Sequence, residues 1–193
     1  MATFFESIRA GDVDAVRTAV LADPSAASAR DDKGLSAVRA ALYAHHHDVA
    51  DVLLEATPEL DVLDAAAAGA VDRLTELLDA DPALIGAWSE DGYTPLHFAA
   101  FFSQGTALRL LLDRGAHVGA VARNAMSVQP LHSAVAAHST ECVAALLVAG
   151  ADPNARKEGG FTPLMGAEQH ADTDLVRLLI DHGAEESATA PEA

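Results

Sequence analysis

Apolar residues recur along the chain in pairs of short blocks, each with the three-to-four-residue spacing of an amphipathic helix. In the clearest case, Thr94 and Pro95 precede an apolar run that includes Leu96 and Phe98. Threonine caps free N–H groups and proline has none to satisfy, so this pair predicts a helix start. A second apolar block ends at Gly115. Because glycine adopts the left-handed conformation freely, Gly115 predicts the end of a second helix.

Three such helix pairs repeat at a nearly constant period. The prolines that open them are 35 and 33 residues apart, and each is followed 20 residues later by a glycine. The repeated positions are Pro95, Pro130 and Pro163 and then Gly115, Gly150 and Gly183. Self-similarity of this period is typical of a solenoid, in which each unit covers the apolar face of its neighbour. The sequence therefore predicts an all-α solenoid of helix-turn-helix units.

The first half of the chain carries the same pattern in weaker form. Residues 34–41 align with 92–99, with Ser36 in place of the threonine, and residues 11–24 align with 69–82. The offset is 58 residues in both alignments, which indicates an early duplication of a two-unit block. The sequence predicts a single domain over residues 2–186, followed by a polar, frayed tail at 187–193. Its six units run over about 2–30, 33–58, 59–89, 91–122, 125–156 and 159–186.

The repeated unit resembles the ankyrin repeat. D-G-Y-T-P-L-H-F-A-A, at 91–100, matches the family's signature, and G-A-D-P-N-A, at 150–155, matches its loop. The resemblance covers nearly the whole chain and implies an ankyrin-repeat solenoid with projecting β-turn loops. It also implies a concave side, formed by these loops and the inner helices, that binds other proteins and carries no catalytic residues.

Two departures from the family pattern change the predicted loops. The second unit runs through Thr57 and Pro58 straight into the next helix, without a projecting loop. This gap predicts either a kink in the stack or a bared edge. The loop between the fourth and fifth units is two residues longer than the following one.

Phe101 and Phe102 are adjacent at the end of a short predicted helix, and adjacent residues cannot both lie in its buried stripe. Their place after Pro95 puts them at the exposed end of the inner helix, where most other aromatic residues also project. Contiguous exposed aromatic surface marks interaction sites. In the alternative interpretation, one ring packs back under the neighbouring helices. The predicted partner-binding residues are Tyr43, Trp88, Glu90, Asp91, Tyr93, Phe101, Phe102, Phe161, Gln169 and His170.

Charge narrows the class of partner. The 193 residues include 12 basic and 29 acidic side chains, which gives a formal charge of −17. Phosphate binding needs a basic surface, so nucleic acid and anionic membranes are disfavoured. An acidic rim around aromatic residues suits a protein partner that carries basic residues beside an apolar anchor. We expect a monomer, with a self-associating structural subunit as the alternative.

The cellular compartment is predicted from three features. The one cysteine, Cys142, cannot form an intramolecular disulfide and suits a reducing environment. The first residues have neither a basic region nor an apolar core typical of a signal peptide. No apolar run approaches the roughly 20 residues of a membrane helix. We therefore expect a cytoplasmic protein.

The three consecutive histidines His45, His46 and His47 suggest a metal- or small-ligand-binding protein as a further alternative. Adjacent side chains diverge, however, and no Cys or His pair nearby has zinc-ligand spacing. We expect no metal and no cofactor here. At His97 and His132 the resemblance implies a structural hydrogen bond that ties a loop to a helix.

Residues for catalysis are not apparent. Ser36 lies in G-L-S-A-V, which lacks the second glycine of a nucleophile elbow. Cys142 falls on the predicted packed face of an outer helix, where a thiol is usually an inert small hydrophobe. There is no phosphate-binding or dinucleotide-binding glycine loop. We predict a non-catalytic protein-binding module.

Overall fold

The computed structural model describes residues 3–56 and 59–185. Within these ranges the chain forms twelve α-helices and no strand, apart from one isolated bridge between Arg30 and Ser36. The helices are α1 Phe4–Ala10, α2 Val13–Ala22, α3 Ala37–Tyr43, α4 His47–Glu55, α5 Val62–Ala68, α6 Val71–Ala80, α7 Pro95–Phe101, α8 Gly105–Asp113, α9 Pro130–Ala136, α10 Thr140–Val148, α11 Pro163–Gln169 and α12 Thr173–Asp181. Single 3-10 turns occupy Pro24–Ser28, Pro82–Gly86 and Glu158–Gly160.

The helices pack as six antiparallel pairs in a row, which is the predicted all-α solenoid of helix-turn-helix units. Odd-numbered helices form one continuous inner layer from α1 to α11, and even-numbered helices form the outer layer. We call the side formed by the inner helices and the loop tips before them the concave face. Consecutive outer helices are in close contact except α4 and α6, which lack such close contact.

The predicted helix start at Thr94 is confirmed. The Thr94 hydroxyl accepts a hydrogen bond from the His97 N–H, and His97 Nδ1 accepts one from the Thr94 N–H, which is a reciprocal capping box. Pro95 occupies the first helical position. Gly115 lies two residues beyond α8 at φ +87°, a backbone conformation that favours glycine over other residues.

One apolar core runs through the stack from the first unit to the last. Phe98 and the outer-helix residues Leu108, Leu111 and Leu146 are fully buried. Cys142 is also fully buried, as predicted, and burial raises the pKa of its thiol. Such a thiol behaves as a small hydrophobe rather than a nucleophile.

The gap predicted in the second unit at Thr57 and Pro58 lies outside the described residues, as does the predicted tail at 187–193. The structure shows instead that the loop tips on either side of the third unit meet. The Glu90 side chain occupies the space in which a Cβ on Gly34 would lie. The second and fourth units therefore touch across the third on the concave face.

Candidate functional site

The fourth and fifth inner helices are tied to the following loops by buried histidines, as the ankyrin resemblance implied. His97 Nε2 lies 3.1 Å from the Val128 carbonyl oxygen, and His132 Nε2 lies 3.2 Å from the Phe161 carbonyl oxygen. Burial lowers the pKa of His97 to about 4 and lowers that of His132 as well. Both imidazoles are therefore neutral at pH 7, and each Nε2–H donates to its carbonyl.

The second and third units are joined at the corresponding positions by a buried ion pair, which we did not predict. Asp64 accepts hydrogen bonds from Arg39 Nε and from the Ser36 hydroxyl, both at 2.6 Å. Arg30 Nη2 is a third donor, at 3.2 Å. The side chains of Arg39 and Asp64 are only 5% and 4% exposed. The pair therefore fixes α3 against α5 inside the protein.

An aromatic cluster lies on the concave face, where the second unit reaches over α5 to the fourth. The Tyr43 ring centroid is 6.5 Å from that of Phe98, 5.9 Å from that of Phe101 and 5.2 Å from that of Phe102. These contacts are possible because α5 is a run of small residues at its C-terminal end, Ala65 to Ala68. The small third unit thus lets the rings of its two neighbours meet.

Phe101 and Phe102 lie in different environments, one at the surface and one against the core. Phe101 is 38% exposed, whereas Phe102 is half-buried and stacks parallel to the core residue Phe98 at 6.4 Å. The two rings themselves meet edge to face at 5.1 Å. Tyr43 also contacts both rings, so the cluster joins α3 to α7.

Beside this cluster is a cavity of about 290 Å³, which we call the aromatic pocket. Its walls include Tyr43, Tyr93, Phe98, Phe101 and Met126. The floor includes both neutral histidines and Ser133, and the edge toward the sixth unit includes Lys157. A pocket of this size and apolar character is typical of a site that takes one large side chain or a small ligand.

Two further depressions adjoin the aromatic pocket along the concave face. The N-terminal groove, of about 440 Å³, contains Trp88, Glu90 and Asp91 and shares Tyr43 with the pocket. The C-terminal groove, of about 90 Å³, contains Phe161, Gln169 and His170. It shares His132, Ala136 and Lys157 with the pocket. Together they form a row from the second unit to the sixth.

The structure therefore brings some of the predicted partner-binding residues together and separates others. Tyr43, Tyr93 and Phe101 line the aromatic pocket, and Phe102 packs against Tyr43 and Phe101 without lining it. Trp88 is apart from this cluster, because Arg123 stacks on its ring with the guanidinium carbon 4.0 Å from the centroid. The remaining predicted residues lie in the two grooves.

Met126 and Lys157 are among the pocket residues that sequence reasoning missed. Met126 is 53% exposed and lies in the lengthened loop between the fourth and fifth units, and the Tyr93 hydroxyl contacts its sulfur at 3.7 Å. The extra length of that loop was the available signal. Lys157 lies in the next loop, with its ammonium 5.8 Å from the Phe161 ring centroid.

Burial and a nearby charge determine the protonation state of Tyr43 in the pocket. Burial, and after it the negative charge of Asp91, raise the pKa of the Tyr43 phenol, which stays protonated at neutral pH. Asp91 accepts a hydrogen bond from the Ser89 hydroxyl and lines the N-terminal groove rather than the pocket. The pocket thus presents neutral aromatic groups, with charged groups only at its margins.

Metal ligands do not cluster in the part of the chain that the structure describes. No group of three or more His, Cys, Asp or Glu side chains there is placed to hold one ion. Of the three consecutive histidines, His46 is engaged with the Arg9 carbonyl oxygen, 3.2 Å from its Nε2. None of the helices described here is long and apolar enough to cross a bilayer.

Comparison with known proteins identifies the family. A family model described as ankyrin repeats (3 copies) matches residues 62–157 and 120–190. The chain belongs to the ankyrin repeat family. The ankyrin resemblance of the sequence and the predicted solenoid are both confirmed by this match and by a solved neighbour. That neighbour is the crystal structure of an ankyrin repeat domain from Acinetobacter baumannii AYE, with a TM-score of 0.60 and 26% identity over 94% of this chain and 98% of its own.

Curated ankyrin-repeat relatives match only part of the chain. Human neurogenic locus notch homolog protein 4 is 47% identical over 90 residues, which is 46% of this chain and 4% of that protein. The ankyrin repeat, SAM and basic leucine zipper domain-containing protein 1 of Saimiri boliviensis boliviensis is 36% identical over 117 residues, or 58% of this chain and 24% of that protein. The chain therefore spans a quarter or less of the length of these two relatives.

Proposed function

We propose that this ankyrin-repeat chain is a non-catalytic module that binds a protein partner through its concave face. Ankyrin repeats are generally protein–protein interaction modules. The observation that carries the proposal is the aromatic pocket, whose wall residues Phe101 and Met126 are 38% and 53% exposed. Exposed aromatic and methionine side chains around a cavity are typical of the centre of an interface.

In this proposal, the partner inserts an apolar side chain between Tyr43, Tyr93 and Phe101. The N-terminal groove then receives a basic residue of the partner beside Glu90 and Asp91, which form no salt bridge within residues 3–56 and 59–185. Phe161, Gln169 and His170 extend the contact surface toward the sixth unit. The acidic margin sets orientation and association rate, while the apolar anchor supplies most of the affinity.

The test is affinity capture from lysate of the source organism with two double variants. Phe101→Ala/Met126→Ala removes two exposed apolar side chains at the pocket. Leu21→Ala/Val148→Ala removes two that are 78% and 81% exposed on outer helices. The proposal expects the wild type and the outer-helix variant to retain the same protein, and the pocket variant to lose it by at least tenfold. The expected loss corresponds to about 1.4 kcal/mol or more.

Two controls make the capture decisive. Both variants must melt within a few degrees of the wild type, since loss of capture by an unfolded chain is uninformative. The mass of the free chain must be measured at increasing concentration, because a captured species that proves to be a second copy assigns the pocket to self-association. Equal capture by both variants contradicts the proposal.

A further inference from the structure

The only permanently charged group among the described residues that line the aromatic pocket is a lysine. Its wall and floor are aromatic, aliphatic or neutral, since burial keeps His97 and His132 uncharged. Lys157 stands at the edge shared with the C-terminal groove, and is the only permanently charged lining residue described there as well. This pattern is unexpected on a chain with a formal charge of −17.

The ammonium of Lys157 is available to a ligand. Seven arginines form salt bridges within the described part of the chain, whereas Lys157 forms none there. Within the described residues, the Lys157 ammonium lies 5.8 Å from the centroid of the Phe161 ring. Lys157 and His132 line the same pocket, and the positive charge of Lys157 contributes, after burial, to the lowered pKa of His132. A flexible lysine stem allows the ammonium to turn from the ring to a ligand.

The other polar groups of the pocket are already engaged, with one exception. Both imidazole Nε2 atoms are hydrogen-bonded to backbone carbonyls, the Tyr93 hydroxyl is directed to Met126, and the Tyr43 hydroxyl faces the Asp91 carboxylate. The Ser133 hydroxyl has no hydrogen bond to any described residue. Ser133 Oγ and Lys157 Nζ are therefore the donors that the pocket offers. Two donors beside an apolar cavity fit a ligand with an apolar group and a carboxylate close together.

We propose that the aromatic pocket takes a large apolar side chain of a protein partner together with a carboxylate next to it, which Lys157 binds. The inference rests on the proposed function. It places Lys157 at one end of the concave face, while the other end holds Glu90 and Asp91 with Lys33 nearby. The partner segment lies with its carboxylate toward the C-terminal groove and with a basic residue toward Glu90 and Asp91. This charge order fixes the direction in which the segment runs.

The test uses three small probes and NMR titration of the whole chain. N-acetyl-phenylalanine carries a terminal carboxylate, N-acetyl-Phe-Glu-amide carries a side-chain carboxylate, and N-acetyl-phenylalaninamide is neutral. At low salt, at least one carboxylate probe should bind about tenfold more tightly than the amide, as expected for a charge-assisted hydrogen bond. The advantage should shrink at high salt, because the lysine is at the surface.

Variants assign the effect to one residue. Lys157→Gln should abolish the preference for carboxylate and leave the affinity for the neutral amide unchanged. Lys157→Arg should preserve the preference. Arg177→Gln is the control, since Arg177 is an exposed cationic residue of the outer helix α12, away from the aromatic pocket and both grooves. It should leave the affinities for all three probes unchanged.

The outcomes separate this inference from the proposed function. The carboxylate probe that binds more tightly identifies whether a chain terminus or an acidic side chain fits the site. Equal binding of the amide and both carboxylates, an undiminished preference in Lys157→Gln, or no binding of any probe at the pocket would overturn the inference. Partner capture that still depends on Phe101 and Met126 would leave the proposed function standing.

Discussion

Two junctions between neighbouring units are held together by different chemistry at the same helix position. One joins the second unit to the third, and the other joins the fourth unit to the fifth. In the fourth unit, His97 at the third position of the inner helix donates to the Val128 carbonyl of the next loop. In the second unit, Arg39 holds the same position and pairs with Asp64 at that position of the third unit. One link is neutral and the other charged.

The difference shows which part of the stack depends on a particular pair of residues. A histidine link needs only a backbone carbonyl, which any residue in the next loop supplies. The Arg39–Asp64 link needs two matched side chains, and both would carry a high desolvation cost alone. It lies where the outer helices α4 and α6 are not in close contact. The charged link therefore supports the junction with the weaker outer packing.

The largest expected effect comes from breaking the charged link. Asp64→Ala leaves the guanidinium of Arg39 buried and unpaired, which should lower the free energy of unfolding by about 3–5 kcal/mol. The measurement is urea unfolding followed by circular dichroism. Glu76→Ala is the control, because Glu76 is the 68%-exposed partner of Arg73 and should cost below about 1 kcal/mol. Equal losses of unfolding free energy in the two variants would show that the Arg39–Asp64 pair stabilises the chain no more than an exposed ion pair does.

Acidification should lower the stability of the chain through the histidine link. The pKa of His97 is about 4 in the folded chain and 6.5 when unperturbed. Between these values the unfolded state binds more protons, so stability is undiminished above pH 6.5 and falls as the pH drops toward 4. His97 contributes on the order of 3 kcal/mol to this fall, and His132 acts in the same direction.

The pH effect is measured as the free energy of unfolding at several pH values for the wild type, His97→Gln and the exposed control His45→Gln. The slope between pH 6.5 and 4 should be reduced in His97→Gln and unchanged in His45→Gln. A wild-type slope retained by His97→Gln would mean that other groups cause the acid sensitivity.

A smaller effect separates the two roles of Ser36. Its hydroxyl caps α3 by accepting from the Arg39 N–H, and it donates to Asp64. Ser36→Ala should cost about 2 kcal/mol, of which about half is the cap. Ser139→Ala, at the cap of α10, should cost about 1 kcal/mol. The measurement is thermal unfolding of both variants. Equal losses of stability in Ser36→Ala and Ser139→Ala would show that the hydrogen bond to Asp64 contributes no stability.

The sequence allowed the fold to be predicted because its cues are local. Thr94 and Pro95 mark a helix start, and Gly115 marks an end, whatever the rest of the chain does. The Arg39–Asp64 pair could not be predicted in the same way. Its residues are 25 positions apart, and only the packing of α3 on α5 brings them together.

The candidate site was less predictable for a related reason. The placement of Phe101 on the concave face follows from counting along one helix, but the pocket beside it is assembled from several units. Tyr43 reaches it across α5 only because that helix is rich in alanine, and Met126 and Lys157 enter from loops whose paths have no sequence periodicity. The partner-binding role of the predicted residues remains a prediction.

Photo-crosslinking shows directly whether a partner docks at the aromatic pocket. A photoreactive phenylalanine analogue is placed at position 101 of the full chain, or at position 148 on the exposed face of α10 as the control. We expect one protein adduct from position 101 in source-organism cells and none from position 148, with the crosslinked partner peptide carrying a large apolar residue. Adducts of equal yield from both positions, or from position 148 alone, would contradict this expectation.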